Sequence, residues 1–251
     1  TIQEDALYQF AVISFKVDIN PYDESVRAFE NYLARYPNTK RKSDVFQYLV
    51  NVYTTTSNYA KAIESLDKLP SMDAKLKRVY QTVAFNYGVE LFQKNEYNDA
   101  MSAFKLVEKY PMDPQMVALA RYWVADVYFR KKELKEAISM YREFISSPAS
   151  NSLPEKIDAY YNIGYAYMDQ EAYDQCIESF RTYLQFAPKD KNGVLDATFR
   201  VADCYYLTRQ NLLAVEFYKN AGFKGGGEEY KPFSKTTIKF GTNVLILLII
   251  S

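Results

Sequence analysis

The chain has 251 residues, 48% of them apolar and 25% charged, with 31 basic and 31 acidic side chains, 24 tyrosines, 16 phenylalanines, one tryptophan and no histidine. An aromatic-rich composition of this kind argues against intrinsic disorder, and a net charge of zero gives no electrostatic footprint of a general nucleic-acid binder. The missing histidine removes the commonest general acid–base and metal ligand, which weighs against most hydrolase and metalloenzyme readings.

From the N-terminus, the chain opens on Thr1 with no charged-then-apolar leader, which reads as a processed or excised piece. Tyr8, Ala11, Val12 and Phe15 then mark a first helix, and the segment beginning at Tyr22 marks a second. The same second-helix pattern recurs at Tyr59, Tyr97, Leu134, Tyr173 and Asn211. Each copy places a small residue three positions on: Ser25, Ala62, Ala100, Ala137, Cys176 and Ala214, separated by 37, 38, 37, 39 and 38 residues. Four positions later comes a large one: Phe29, Leu66, Phe104, Tyr141, Phe180 and Tyr218. Steps of three and four place these residues on one helical face.

Upstream of each such helix B the chain predicts a helix A, ending near Tyr53, Tyr87 to Leu91, Tyr128, Tyr167 and Tyr205. Helix A offers a small residue to the facing ring, at Gly88, Ala125, Gly164 and Ala202. Pro37, Pro70, Pro111, Pro148 and Pro188 fall in or just after the last turn of helix B, where a missing N–H and a fixed φ stop propagation. A single hairpin cannot bury such a stripe alone, so successive pairs are expected to stack. From Lys224 the pattern dissolves into three glycines and a seven-residue apolar run, Val244–Ile250, far short of the roughly 20 residues that span a bilayer. That end reads either as a foreign or truncated tail or as a strand or short helix docking on this chain or a neighbour. The domain reading is a six-repeat unit over 1–223 and an irregular tail over 224–251.

The six copies resemble the tetratricopeptide repeat, with Tyr160-Ile163-Gly164-Tyr167-Tyr173-Cys176-Phe180-Pro188 the fullest match and Phe46-Leu49-Val50-Tyr53-Tyr59-Ala62-Leu66 close to it. The period departs from the family's usual 34, and the additional residues fall between helix B and the next helix A. Phe29-Glu30-Asn31-Tyr32-Leu33-Ala34-Arg35-Tyr36-Pro37 is similar to repeats of bacterial envelope proteins of the outer-membrane assembly lipoprotein and Tol-Pal coordinator types. The resemblance implies an all-α, right-handed superhelical solenoid of about six helix-turn-helix repeats. It also implies a non-enzymatic scaffold that holds a peptide or protein segment in a concave groove lined by helix A, within a larger chain or assembly. Periplasm or outer membrane is the favoured location, cytoplasm the alternative.

Mapped on this sequence, the family's groove positions are Gln47 and Asn51, Phe85 and Val89, Tyr122 and Asp126, Tyr161 and Tyr165, and Phe199 and Asp203, with Asn86, Trp123, Asn162 and Arg200 at the edge. Asn51, Asp126 and Asp203 are expected to be exposed, because unpaired carboxylates are seldom buried. The rings either face a ligand or pack against the neighbouring helices. Gln47, Phe85, Tyr122 and Tyr161 stand where the family's carboxylate clamp would hold Lys or Arg, and Asp44, Asp158 and Asp196 make the groove lean acidic. A basic or neutral apolar segment therefore fits better than an acidic peptide terminus.

The rival reading is a glycan- or small-ligand-binding envelope protein that uses the same rings, and a weaker one is an enzyme built on a helical toroid. Basic clusters at Lys40–Lys42, Lys75–Arg78 and Arg130–Lys132 read as solvated turns, with a phosphate or lipid-headgroup contact as the alternative. Cys176 and Cys204 match no metal-ligand spacing and read as packed thiols, with a disulfide or redox pair as the alternative. No catalytic residue, metal ligand, cofactor, nucleic-acid site or transmembrane span is assigned. Self-association through the C-terminal tail is a further expectation.

Overall fold

The computed structural model describes residues 1–17, 24–188, 193–222, 228–230 and 238–240. Twelve α-helices follow one another among these residues. In order they are α1 (Ile2–Val17), α2 (Glu24–Arg35), α3 (Lys42–Thr55), α4 (Tyr59–Asp67), α5 (Ala74–Gln93) and α6 (Tyr97–Leu106), then α7 (Pro114–Arg130), α8 (Leu134–Ser146), α9 (Glu155–Asp169), α10 (Tyr173–Phe186), α11 (Gly193–Leu207) and α12 (Asn211–Asn220). Odd-numbered helices are the A helices of the sequence pattern and even-numbered ones the B helices. Beyond them lies one short antiparallel pairing, β1 (Glu228–Tyr230) with β2 (Ile238–Phe240), Glu228 opposite Phe240. The fold is therefore helical repeats throughout, with this pairing as the sole strand structure among the described residues. The apolar run 244–250 and Gly225–Gly227 lie outside them.

Two compact units divide the chain, residues 1–120 and 121–251. In the first, α1 packs on α2, α3 on α4 and α5 on α6, with α2 on α3 and α4 on α5 joining the pairs. In the second, α9 packs on both α8 and α10, and α11 on α10 and α12. The packed face of each B helix is the one the sequence spacing marks: Ser25, Ala62, Ala100, Ala137, Cys176 and Ala214 are all at 0% exposure. The large residues four positions on are equally withdrawn, and each such ring or aliphatic chain contributes about 1.5–3 kcal/mol by burial.

Two close-approach solutions alternate over the last four helix pairs. A Cβ on Gly88 would lie 2.6 Å from the Phe104 ring, and one on Gly164 would lie 2.9 Å from the Phe180 ring. These contacts leave space for hydrogen only. Where the A helix carries alanine instead, at Ala125 and Ala202, the B helix presents Tyr141 and Tyr218, whose hydroxyls reach Asp126 and Asp203.

The turn from A to B is built the same way five times. Ser57, Asn95, Lys132, Glu171 and Arg209 adopt left-handed backbone, with φ between 57° and 62°. The amide of the following residue donates to the carbonyl five positions back, as in Glu96 to Leu91 (2.9 Å), Glu133 to Tyr128 (2.9 Å) and Gln210 to Tyr205 (2.8 Å). The left-handed residue donates in turn to the carbonyl three back, as Asn95 does to Phe92 (2.9 Å). This double bond set is the Schellman motif, which satisfies the last carbonyls of helix A and reverses the chain within three residues. After the first five B helices a proline stops propagation, and α2, α4 and α10 end two or three residues before Pro37, Pro70 and Pro188.

Candidate functional site

The helix-A positions mapped as a groove differ in what they do in the two units. In the second unit they are largely engaged with the protein itself. Tyr122 is 8% exposed, its ring against Tyr141 (5.6 Å between centroids) and Phe144 (5.3 Å). Asp126 accepts a short hydrogen bond from the Tyr141 hydroxyl. Asn162 Nδ2 donates to Asp126 Oδ1 (3.1 Å) and also reaches the hydroxyls of Tyr122 (3.2 Å) and Tyr141 (3.1 Å), tying α9 to α7 and α8. Burial is the largest influence on Asp126 and pushes its carboxyl up to about 6, while the Tyr141 bond works in the opposite direction.

A second cluster repeats this logic between α9 and α11. Tyr161 donates to Asp196 Oδ2 at 2.8 Å, and Tyr165 donates to the same oxygen. Arg200 bonds both Asp196 Oδ1 (3.1 Å) and Asp203 Oδ2 (2.8 Å), and also donates to Tyr165 (3.2 Å). Tyr218 completes Asp203 at 2.8 Å. The rings pack inward as well: Tyr161 lies 5.6 Å from Phe180 and 5.0 Å from Tyr183, Tyr165 lies 5.2 Å from Phe180, and Phe199 lies 6.3 Å from Tyr218. The expectation of exposure for Asp126 and Asp203 is corrected here. Asp203 is fully buried and Asp126 half-buried, because Tyr, Asn and Arg partners supply the hydrogen bonds that water would otherwise give.

The first unit is arranged differently. Gln47 and Asn51 are both exposed, one turn apart on α3. They line an open cleft of about 690 Å³ between α3 and the start of α5, with Tyr8 of α1 and Tyr48 beside them and Leu76 and Val79 opposite. Asp44, Asp73 and Lys75 also line it, two carboxylates to one ammonium. Asp73 caps α5 by accepting from the Leu76 amide (2.8 Å), which fixes that wall. Thr54, on the same face of α3, has a hydroxyl withdrawn from solvent and without a hydrogen-bond partner among the described residues. Phe85 and Asn86 on α5 are half-buried, and the Phe85 ring lies edge-on to Phe104 at 5.9 Å.

Several working residues were not singled out by sequence. Gln81, 1% exposed, exchanges two hydrogen bonds with the backbone of Asp113, at 3.0 and 2.8 Å, and so fixes the loop that leads into α7. Tyr32, Thr39 and Glu4 form a network that ties α1 to the α2–α3 turn, with Thr39 donating to Glu4 at 2.8 Å and lying 2.6 Å from the Tyr32 hydroxyl. Among the basic clusters read as solvated turns, Arg41 pairs with Asp5 (2.5 Å) and stacks on Tyr8 (4.5 Å), and Lys132 pairs with Asp169 (2.6 Å). For the buried pairs a signal existed: Asp126–Tyr141 and Asp203–Tyr218 share a separation of 15 residues. The matching places elsewhere hold Val89 with Phe104 and Tyr165 with Phe180.

The comparisons with known proteins agree with this architecture. Two tetratricopeptide-repeat family models match, one over residues 85–154 and one over residues 157–190. Among solved structures, the crystal structure of MamA protein aligns with a TM-score of 0.51 at 20% identity, over 73% of this chain and 91% of that one. A MamA RS-1 double mutant aligns at 0.50 and 18% identity, over 72% and 93%. YrrB, described as a TPR protein with an unusual peptide-binding site, aligns at 0.50 and 15% identity, over 77% and 90%. Among curated proteins no match was found. The chain thus contains tetratricopeptide repeats and has the fold of tetratricopeptide-repeat proteins. No helix among the described residues is long and apolar enough to cross a membrane.

Proposed function

We propose that this chain is a non-enzymatic scaffold that holds an extended peptide or protein segment, and that the α3–α5 cleft of the first unit is where the segment lies. The observation that carries this reading is the cleft wall of Gln47 and Asn51, two exposed amides one helical turn apart, flanked by Tyr8 and Tyr48. Side-chain amides both donate and accept, so they match the backbone groups of an extended chain in either direction. The tyrosines and the Leu76–Val79 wall cover apolar side chains, and the surplus of carboxylate favours a neutral or basic segment over an acidic one. YrrB, which has the same fold, is described as carrying a peptide-binding site, and that makes such a use of the fold reasonable by analogy.

The residues of the second unit's A helices, Tyr122, Asp126, Tyr161, Tyr165, Phe199 and Asp203, serve in this reading mainly to join helices. A place in a bacterial envelope assembly, and self-association through residues 228–251, complete the proposal, the first resting on the likeness of the Phe29–Pro37 segment. The test is a peptide array probed with the full chain and with a Gln47→Ala, Asn51→Ala variant. Loss of at least tenfold in affinity for captured peptides, with unchanged melting temperature, supports the cleft. Undiminished capture by the variant refutes it. Deletion of 228–251 should shift a self-associating species to monomer in sedimentation.

A further inference from the structure

The chain contains two cysteines, and they meet. Cys176 lies on α10 and Cys204 on α11, both at 0% exposure, with their sulfurs 2.7 Å apart. Cys176 occupies the small-residue place of its B helix, filled elsewhere by Ser25, Ala62, Ala100, Ala137 and Ala214. The Cys204 place is filled in the preceding repeat by Ala166, and Ala137 and Ala166 are both fully buried there. Packing at these two positions is thus met by alanine one repeat earlier, and volume alone does not call for a pair of thiols. In the reduced protein one thiol donates weakly to the other.

We propose that Cys176 and Cys204 are a modification site, an intrachain disulfide that staples α10 to α11 in an oxidising environment. With a low-molecular-weight disulfide as oxidant, the thiolate of one cysteine attacks it, forming a mixed disulfide and releasing one reduced thiol. The second cysteine then displaces the other, so one oxidant molecule takes up two electrons and two protons as the protein S–S bond forms. Both sulfurs are out of solvent, and the neighbouring sulfur together with burial pushes the Cys204 thiol upward. Oxidation of the folded protein should therefore be slow, and the bond should form readily during folding, before α11 seats on α10. The link spans 28 residues and joins the last two repeats.

The experiment refolds the full chain from denaturant in a mixture of oxidised and reduced glutathione, and in parallel under dithiothreitol. Denatured samples are alkylated with N-ethylmaleimide and weighed intact. The site predicts that the glutathione sample takes up no label, weighs two hydrogens less than the reduced chain and yields a linked peptide containing Cys176 and Cys204. It also predicts a melting temperature higher than the reduced sample's by about 5–10 °C. The Cys176→Ala, Cys204→Ala variant, which copies the Ala137–Ala166 pair, should fold and melt alike in both buffers. Two labelled thiols, a glutathione adduct, a linkage between chains or an equal melting temperature in both buffers would overturn the site.

Discussion

At the scale of single residues, the last four pairs of A and B helices approach each other in two mutually exclusive ways. Glycine with phenylalanine (Gly88–Phe104, Gly164–Phe180) leaves no space for a methyl group. Alanine with tyrosine (Ala125–Tyr141, Ala202–Tyr218) sets the ring where its hydroxyl meets a carboxylate. Gly164→Ala should cost about 1–3 kcal/mol in urea unfolding, because Phe180 has to move within a packed core. Tyr218→Phe should cost about 1–3 kcal/mol, since Asp203 is buried and loses a donor it cannot replace with water. Asp126 gives a pH signature. Its folded value, about 6, lies above its ordinary 3.8, so between these the native state holds more proton than the unfolded one. Stability from this group is therefore fullest below about pH 4 and declines by the order of 2–3 kcal/mol as pH rises to about 6. Asp126→Asn should remove that decline from a series of urea titrations run between these pH values.

At the scale of elements, the repeat turns carry a cost that the side chains do not announce. Ser57, Lys132, Glu171 and Arg209 take a left-handed conformation that favours glycine or asparagine, and only Asn95 is of that kind. Arg209→Gly should stabilise the chain by about 0.5–1 kcal/mol, read as a raised denaturation midpoint, whereas Arg209→Val should lower it. Helix existence and phase were legible from Ser25 to Ala214, because close packing imposes a small residue at one place in every repeat. The left-handed turn residue was not legible, because the Schellman bonds are made by backbone and leave the side chain free to vary. Burial of Asp126 and Asp203 was hidden for another reason. A carboxylate on an A helix reads as solvated until its donors are known, and those come from Asn162, Arg200 and tyrosines 15 residues on. Gln81 belongs with these: its two bonds to Asp113 cross 32 residues, beyond any local pattern.

At the scale of the whole molecule, the two compact units divide the proposed labour. Residues 121–251 spend their A-helix polar groups on joining successive helices, while residues 1–120 leave Gln47 and Asn51 facing an open cleft. The sequence pattern treated all five pairs of groove positions as equivalent, since spacing reports the face a residue occupies and not whether a neighbour already bonds it. Hydrogen exchange on the full chain, with and without a peptide captured on the array, tests this division most directly. Binding in the α3–α5 cleft predicts slowed exchange over residues 44–55 and 73–79, with residues 122–126 and 196–203 unchanged. Protection confined to 122–126 and 196–203, with 44–55 and 73–79 exchanging as in the free protein, would contradict it.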